Sequence, residues 1–315
     1  MQKELFYVVT PVYEDVVAAK QLFSDLKTGY SDHVFVIAVD DGSVKAPMRL
    51  DVLEEVGIQG KVVFLKRNVG HQRALSIGLC VASAMAQPDQ KIVLMDSDGE
   101  DRPSSIEELF HELNDGVDVV VATRKSRVET LKFKAFYQCY KRVFSLLTGR
   151  KISFGNFMVM TPKAAKRLVS MQELSIHVAA SVLASKLRIR ELPIDRGSRY
   201  AGRSKMNFVG LVLHGFKGLM IFAEDVLVRT GIASAGIAAI ALLGSVLAVG
   251  LKLAGFATPG WFSMALGILA VILIQTGALV LMMLMLTGVI RSGTVTTDID
   301  YKAFIDRIDE TKHES

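Results

Sequence analysis

Four carboxylates fall within six residues in segment 96–101 (DSDGED), directly after the apolar run 92–95 (IVLM). Closely spaced carboxylates repel one another, so a strand that ends in this cluster favours a bound positive charge. Mg²⁺ and Mn²⁺ bind carboxylate oxygens and complete their coordination with water and substrate phosphates. The alternative is an acidic turn in which Glu100 and Asp101 favour the dipole of a following helix. The cluster by itself therefore predicts either a divalent-metal site or a charged helix start.

Three more polar clusters follow apolar runs, and they are 11–14 (PVYE), 40–43 (DDGS) and 67–71 (RNVGH). Ligands of parallel α/β sheets bind beyond the carboxyl ends of the strands, so four strand ends are expected to converge at one rim. Neither a Gly-x-Gly-x-x-Gly turn nor a Walker phosphate loop is present, so a nucleotide must use other contacts. Because Asp, Gly and Ser are common in turns, cluster 40–43 alone favours an ordinary turn.

Side chains at these strand ends are suited to a nucleotide diphosphate. Tyr13 is able to cover a base, and Asp40 is able to accept a hydrogen bond from a base imide or a ribose hydroxyl. A metal at Asp98 would then hold the diphosphate.

The elements that must position these clusters alternate between short apolar, β-branched runs and longer amphipathic segments. The predicted strands are 5–10, 34–39, 61–65, 91–95 and 117–122. The predicted helices are 15–27, 44–56, 71–86 and 104–114. This alternation predicts an α/β domain with a mainly parallel sheet, which we assign to residues 1–205.

A strongly apolar region follows this domain, and Lys252 is the one charged residue between positions 231 and 290. Two apolar blocks, 232–249 and 261–290, are each long enough to cross about 30 Å of hydrocarbon. We therefore predict a two-helix transmembrane hairpin over 231–291.

The hairpin has distinct flanks. Segment 206–230 mixes large apolar side chains with charged ones, which predicts amphipathic helices at the membrane interface. Segment 292–315 is assigned to a C-terminal tail.

Basic residues lie on both sides of the hairpin, including Arg229 and Arg291, so both termini are expected to face the cytoplasm. Gln275 and the small residues of the first span favour close helix packing and homo-oligomerisation.

The four polar clusters, taken in order, resemble the family 2 glycosyltransferases with the GT-A fold. The resemblance rests on 11–14, 40–43, 68–75 (NVGHQRAL) and 96–103 (DSDGEDRP). More narrowly, the sequence is similar to the dolichyl- and undecaprenyl-phosphate glycosyltransferases, which include dolichyl-phosphate mannose synthase and bacterial polyprenyl-phosphate glucosyltransferases. The resemblance covers residues 5–205, and a two-helix membrane tail is also found in the bacterial branch. It implies a multi-pass protein of the bacterial inner membrane.

The resemblance also implies roles for individual residues. The residues that it assigns to the nucleotide sugar are Pro11, Tyr13, Glu14, Asp40, Asp41, Asn68, His71, Asp96 and Arg124. It assigns Mg²⁺ or Mn²⁺ to Asp96, Asp98 and Glu100, with Asp98 as the direct ligand. The residues that it assigns to catalysis are Asp98, Glu100 and Asp101.

Segment 199–205 (RYAGRSK) resembles the family's Arg-x-x-Gly-x-Ser-Lys motif. The residues that this motif assigns to the lipid phosphate or the diphosphate are Arg199, Arg203, Ser204 and Lys205. Arginine binds phosphate oxygens bidentately, so the chemistry is appropriate. The alternative is a positively charged flank of the first membrane span.

The sequence departs from the family at Asn156 and Met158, where many relatives carry Asp and Arg. A lipid phosphate is already anionic at pH 7, so its transfer tolerates the loss of a carboxylate better than a hydroxyl acceptor does. We therefore interpret the chain as an inverting transferase that moves a hexose, with glucose as the first choice, from UDP to undecaprenyl phosphate. The product would be a lipid-linked sugar donor for modification of cell-envelope glycans.

Two alternatives stay open at this point. One is a transferase with a glycan or other hydroxyl acceptor, for which Glu100 or Asp101 would serve as the base. The other is a catalytically degenerate membrane partner protein. No nucleic-acid partner is expected for either.

Overall fold

The computed structural model describes residues 4–114, 116–124, 131–200, 208–256, 260–292 and 301–312. The chain separates into two compact units. The first contains Met1–Tyr137, Ile152–Ile221 and Asp298–Ser315, and the second contains Gln138–Lys151 and Phe222–Thr297.

The first unit is built on one eight-stranded sheet within the described residues. The strands are β1 (Phe6–Val12), β2 (Val34–Asp40), β3 (Gln59–Leu65), β4 (Lys91–Leu94), β5 (Val119–Arg124), β6 (Phe154–Met160), β7 (Ile189–Ile194) and β8 (Ile305–Glu310). Their order is β7-β5-β6-β4-β1-β2-β3-β8. The parallel pairs are β1–β2, β1–β4, β2–β3 and β5–β7. The antiparallel pairs are β3–β8, β4–β6 and β5–β6. The prediction of a mainly parallel α/β fold is confirmed.

Helices cover the sheet. The α-helices described in the first unit are α1 (Val16–Tyr30), α2 (Asp51–Val56), α3 (His71–Met85), α4 (Ile106–Glu112), α5 (Leu131–Thr148), α6 (Pro162–Val169), α7 (Val178–Ala184) and α8 (Phe208–Met220). Helix α5 contains residues of both units. All seven residues of β1 and of β2 are buried, so both faces of these central strands are covered. This explains why these strands appear in the sequence as continuous apolar runs rather than as alternating patterns.

The predicted helix 44–56 begins later than expected, at Asp51. The reason is electrostatic, because the carboxylates of Glu14 and Asp40 accept hydrogen bonds from backbone N–H groups within segment 43–48. Those N–H groups hold the segment in a loop wrapped around the two carboxylates.

The assignment of 292–315 to a separate tail is wrong for its described part. Strand β8 pairs antiparallel with β3 and forms an edge of the sheet. Arg307 lies over the ring of Phe64, 3.8 Å from its centroid. Charged residues dominate β8, which suits an exposed sheet edge but hides the strand from a search for apolar runs. The sheet therefore contains strands from before and after the apolar hairpin.

The second unit contains two long apolar helices, α9 (Ala223–Leu253) and α10 (Trp261–Ser292). They are long and apolar enough to cross a membrane, as predicted. Small side chains such as Ala241 and Ala248 are buried, while most large apolar side chains of both helices are exposed. This distribution is the one expected when hydrocarbon, rather than protein, surrounds the helices.

Within the predicted interfacial segment 206–230, helix α8 belongs to the first unit. It exposes Val209, Leu213, Phe216 and Met220, which recur at helical spacing along one face. Helix α8 therefore has an exposed apolar face.

Candidate active site

The carboxyl ends of several parallel strands meet at one rim, as predicted. The Ser97 hydroxyl donates to the carbonyl oxygen of Pro11 over 3.0 Å, which joins the end of β4 to the end of β1. The backbone N–H of Asp41 donates to the carbonyl of Val12 over 2.9 Å. Asp41 Oδ1 accepts from the backbone N–H of Val69 over 2.7 Å, which joins the end of β2 to the loop before α3.

Asp40 and Asp41 are buried, and backbone groups satisfy their carboxylates. Asp40 accepts from the backbone N–H groups of Ser43 and Met48, both over 2.9 Å. Asp41 accepts from the two N–H groups of residues 69–70. Burial raises the pKa of Asp41 despite these hydrogen bonds. Both residues therefore hold the loops at the rim in place.

Glu14 has a similar role in the structure. Its backbone lies in the left-handed region, with φ 49°, and its N–H donates to the Ser43 hydroxyl over 2.9 Å. Its carboxylate accepts from the N–H groups of Val44, Lys45 and Ala46 at 2.6–3.0 Å. Hydrogen bonds from Lys45 and Val44 hold its pKa below the ordinary value. The carboxylate thus shapes the loop after β2.

The remaining predicted nucleotide-binding residues occupy varied positions. Pro11 is buried within β1, whereas Tyr13 is 44% exposed at the rim. Asn68 is exposed and precedes α3, and Arg124 is the exposed last residue of β5. Three predicted phosphate-binding residues, Arg203, Ser204 and Lys205, lie outside the described residues.

The acid cluster forms a tight turn after β4. The backbone N–H of Asp96 donates to Asp101 Oδ2 over 2.9 Å, and the N–H of Glu100 donates to Asp98 Oδ1 over 3.0 Å. Burial and the Asp96 charge raise the pKa of Asp101 to about 8. Burial and Asp96 also raise the pKa of Asp98. Burial and Asp96 thus favour the protonated form of Asp101, which makes this carboxyl a weak candidate for a base.

Two arginines neutralise the rest of the cluster. Arg199 Nη2 lies 2.8 Å from Asp98 Oδ2, and its Nε donates to Glu100 Oε1 over 3.0 Å. Arg196 forms an ion pair with the other oxygen of Glu100. Burial acts to raise the pKa of Asp96, but His71 lowers it, and Arg196 and Arg199 add to this lowering. The structure thus brings Arg199, which the sequence assigned to phosphates, onto the predicted metal ligands.

The backbone that carries these arginines lies directly against the acid turn. Gly197 N–H donates to the carbonyl of Glu100, and Tyr200 N–H donates to the carbonyl of Asp98, both over 2.9 Å. The Tyr200 hydroxyl donates to Asp25 Oδ2 over 2.6 Å. Gly99 has φ +89°, and a Cβ there would lie 2.7 Å from the Tyr200 ring. Glycine is therefore required for this close approach.

A chain of amide hydrogen bonds orients His71 beside the cluster. The Val178 N–H donates to Gln72 Oε1 over 2.7 Å, so Gln72 Nε2 is the atom that donates to Asn156 Oδ1, over 3.2 Å. Asn156 Nδ2 then lies 3.0 Å from His71 Nε2. Because an amide nitrogen only donates, His71 Nε2 accepts in this arrangement, and its neutral form carries the proton on Nδ1. Asn156 therefore has a defined place beside the acids, whereas Met158 is buried in β6.

This arrangement leaves one buried oxygen of Asp96 in need of positive charge. Asp96 Oδ1 lies 3.1 Å from His71 Nε2, yet it accepts no aligned hydrogen bond within the described residues. Burial lowers the pKa of His71, but Asp96 and nearby carboxylates outweigh burial and raise it. Either a proton added to His71 or a bound cation would satisfy this oxygen.

The donor set fits a hard divalent cation. The oxygen of Asp96 and the carboxylates of Asp98 and Glu100 are ligands that Mg²⁺ and Mn²⁺ favour. In the described part of the chain, no three His, Cys, Asp or Glu side chains already form a converged metal-binding group. Two of the three carboxylates instead contact Arg199.

A pair of histidines lies near this site. His177 is buried at the start of α7, where its Nδ1 accepts from the backbone N–H of Ala180 over 3.2 Å. Its ring centroid lies 4.3 Å from that of His214 on α8. Burial and His214 lower the pKa of His177 to about 3, and Lys217 adds to the effect.

Sequence reasoning missed three contributors to the site. Arg196 and His177 lie outside the motifs that carried the family resemblance, and Gln72 lies inside one without an assigned role. A usable signal existed for Gln72 alone, because it is a polar residue among the apolar residues of α3.

The mainly parallel sheet and the carboxylates at the carboxyl ends of its strands have the arrangement expected of a glycosyltransferase of the GT-A type. The model of glycosyl transferase family 2 matches residues 7–171, just over half of the chain. The chain belongs to this family and is a glycosyltransferase.

Several known proteins are similar to the chain. "Uncharacterized glycosyltransferase YkoT" of Bacillus subtilis is 25% identical over 84% of this chain and 77% of its own length. An undecaprenyl-phosphate 4-deoxy-4-formamido-L-arabinose transferase of Enterobacter sp. is 27% identical over 65% of this chain and 63% of its own length. Among solved structures, glucosyl-3-phosphoglycerate synthase of Mycobacterium tuberculosis, in complex with Mn²⁺, UDP and glucosyl-3-phosphoglycerate, overlaps with TM-score 0.44 at 18% identity, covering 72% of this chain and 80% of its own.

Proposed function

We propose that this glycosyltransferase moves a hexose from a UDP-sugar to undecaprenyl phosphate, with inversion at the anomeric carbon. Family membership supports the transferase class. The similarity to a relative named as an undecaprenyl-phosphate transferase supports the lipid acceptor. Glucose is the first sugar to test.

One observation carries the choice of acceptor: the acid cluster offers no ready base and is matched by arginines. Burial raises the pKa of Asp101, and Glu100 forms an ion pair with Arg196 that does not involve Arg199. A hydroxyl acceptor needs a base to become a good nucleophile, whereas a phosphate is already anionic at pH 7. Guanidinium groups also bind phosphate oxygens well. This site therefore suits an anionic acceptor better than a hydroxyl.

The reaction then needs alignment and neutralisation of charge. An oxygen of the acceptor phosphate attacks the anomeric carbon of the sugar from the face opposite the diphosphate. The bond from that carbon to the diphosphate oxygen breaks, and its electron pair leaves with UDP. In this proposal Arg199 binds phosphate oxygens, while Asp40 and Tyr13 lie at the rim where the nucleoside would bind.

A divalent cation belongs to the same proposal. Asp96 and Asp98 would hold it, with Glu100 as a third carboxylate. A bound Mg²⁺ or Mn²⁺ supplies positive charge that stabilises the departing diphosphate.

The sheet supports a topology in which both ends of the hairpin lie on one side of the membrane. Strands β1–β7 precede the hairpin and β8 follows it, yet β8 pairs with β3 in the same sheet. A hairpin that crosses the membrane twice meets this requirement. The basic flanks favour the cytoplasm as that side. We propose that the sheet unit faces the cytoplasmic leaflet of a bacterial inner membrane.

The test is transfer by the purified full chain in lipid nanodiscs, with labelled UDP-hexoses, undecaprenyl phosphate and Mg²⁺ or Mn²⁺. We expect labelled sugar in the lipid fraction with at least one donor, and no product after removal of the divalent cation with a chelator. Arg190→Gln, which removes a surface ion pair with Glu112, is the matched control and should retain activity.

Two outcomes would contradict the proposal. Equal product formation with and without undecaprenyl phosphate would indicate a hydroxyl acceptor. The absence of lipid-linked sugar with all common UDP- and GDP-sugars, together with no binding of UDP, would indicate a protein that has lost this activity.

A further inference from the structure

Arg199 occupies the place where the predicted cation would bind. Its guanidinium bridges two carboxylates, with Nη2 2.8 Å from Asp98 Oδ2 and Nε 3.0 Å from Glu100 Oε1. These are two of the three side chains expected to hold the divalent cation. A guanidinium and a divalent cation repel each other, and both favour the same carboxylate oxygens. Arg199 and the cation therefore compete.

The backbone beside Arg199 is anchored independently of this ion pair. Gly197 and Tyr200 donate their N–H groups to the acid turn, and the Tyr200 hydroxyl holds Asp25. A Cβ at Gly197 would collide with the carbonyl oxygen of Gly99, so the two backbones lie in contact. Arg199 can thus leave the carboxylates by rotation of its own side chain, while its backbone stays beside them.

The surroundings of Arg199 allow such a rotation. Its side chain retains 28% exposure, compared with 17% for Asp98. The guanidinium is therefore not enclosed by the core.

Charge balance decides when the rotation is favourable. A cation that arrives alone leaves Arg199 without an anionic partner, next to added positive charge. A cation that arrives with a nucleotide diphosphate brings phosphate oxygens, to which a guanidinium binds bidentately. The exchange is therefore favoured by the cation and the diphosphate together.

We propose that Arg199 is a resident counter-ion that competes with the divalent cation for Asp98 and Glu100, and that the diphosphate of the donor releases it. This inference rests on the proposed function, because it assumes that the cation and the diphosphate share this site. It makes Arg199 a residue that couples binding of the cation to binding of the nucleotide.

The experiment is a titration of the full chain in nanodiscs with Mn²⁺, in which electron paramagnetic resonance measures the free ion, with and without UDP. For the wild-type chain, UDP should strengthen Mn²⁺ binding by about tenfold or more. Arg199→Gln should bind Mn²⁺ alone about tenfold more tightly than wild type, because the competing charge is gone. The same variant should bind UDP more weakly at saturating Mn²⁺, because the phosphates lose a partner.

Arg102→Gln is the matched control, because it removes the same charge from a neighbouring position. Among the described contacts, Arg102 forms no ion pair with Asp98 or Glu100, so its variant should resemble wild type in both titrations. Arg199→Lys should be intermediate, because a single ammonium does not match the two-carboxylate geometry of the guanidinium. Thermal unfolding checks that each variant is folded.

The inference is overturned if folded Arg199→Gln binds Mn²⁺ alone no more tightly than wild type does, or if Arg102→Gln has an equal effect. It also fails if wild-type chain binds Mn²⁺ equally well with and without UDP. The absence of Mn²⁺ binding to wild type even with UDP refutes the metal site of the proposed function itself. That result is distinct from failure of the exchange alone.

Discussion

Two pairs of aspartates stand at the ends of parallel strands β2 and β4, and the structure uses them differently. Asp40 and Asp41 direct their carboxylate oxygens at backbone N–H groups of the adjoining loops. At the end of β4, Asp98 Oδ1 also accepts a backbone N–H, that of Glu100, but its Oδ2 is paired with the side chain of Arg199, and Asp96 Oδ1 faces the side chain of His71. The same residue type after the same kind of strand thus has two roles.

The difference lies in what each partner is able to do. A backbone N–H group inside a loop cannot withdraw without disrupting the loop, so a carboxylate that it binds becomes part of the scaffold. A side-chain partner can rotate away, so a carboxylate that it binds remains available for exchange. The end of β2 is therefore a fixed scaffold, and the end of β4 is an exchangeable site.

The largest expected effect separates activity from stability at the end of β4. Asp98→Ala should lower sugar transfer by about 10³-fold, because the proposed cation that stabilises the departing diphosphate loses a main ligand. Its melting temperature should stay level or rise, because burial and Asp96 make the Asp98 charge unfavourable in the folded chain. Product formation and thermal unfolding measure the two effects. Retained activity, or a marked loss of melting temperature, would remove the distinction between the two pairs.

A second substitution tests the scaffold role at the end of β2. Asp41→Ala should reduce the free energy of unfolding by about 3 kcal/mol, because two backbone N–H groups lose their acceptor in a buried place. Asp41→Asn retains one acceptor oxygen and should cost about half as much. Denaturant unfolding of the full chain provides the measurement. A loss no larger than that of Asp98→Ala would contradict the scaffold role.

The smallest expected effect extends the comparison to an imidazole held by the backbone. His177 accepts a backbone N–H at Nδ1, and burial beside His214 and Lys217 depresses its pKa to about 3. A base with a depressed folded-state pKa stabilises the fold above its unfolded pKa, and this stability is lost as the pH falls. Between about pH 6.5 and about pH 5, wild type should lose about 1 kcal/mol or more relative to His177→Asn.

The asparagine in this variant still caps the helix but does not titrate. Thermal unfolding across this pH range is the measurement, and His111→Asn, at an exposed position, is the matched control. Parallel pH profiles of wild type and His177→Asn would show that the contact with the backbone does not hold His177 neutral.

Much of the fold follows from local sequence patterns. The first five strands and the two apolar helices were predicted from runs of residues that contain their own signal. Strand β8 was missed, because its charged residues resemble a tail until β3 is placed beside it. The helix expected from residue 44 starts at Asp51, since carboxylates distant in sequence capture the backbone of the preceding loop.

The candidate site was also predicted in part from the sequence and in part only from the structure. The motifs placed Asp96, Asp98 and His71 at one rim, and the structure brings them together. They did not indicate that Asn156 orients His71, or that Arg196 joins the cluster. Such contacts depend on side-chain geometry between separate elements, which periodicity and composition do not encode.

The sequence by itself determined the chemical types in this protein: acids after apolar strands, a basic segment before two apolar helices, and the resemblance to family 2 glycosyltransferases. Short-range patterns are sufficient for these features, because each one depends on neighbouring residues. The tertiary structure alone decided which charges meet. Arg199 and Glu100 are 99 residues apart, and folding places the guanidinium on the carboxylates that would hold a cation. Electrostatic pairing acts over a few ångströms in space, so it follows from the fold and not from the order of residues.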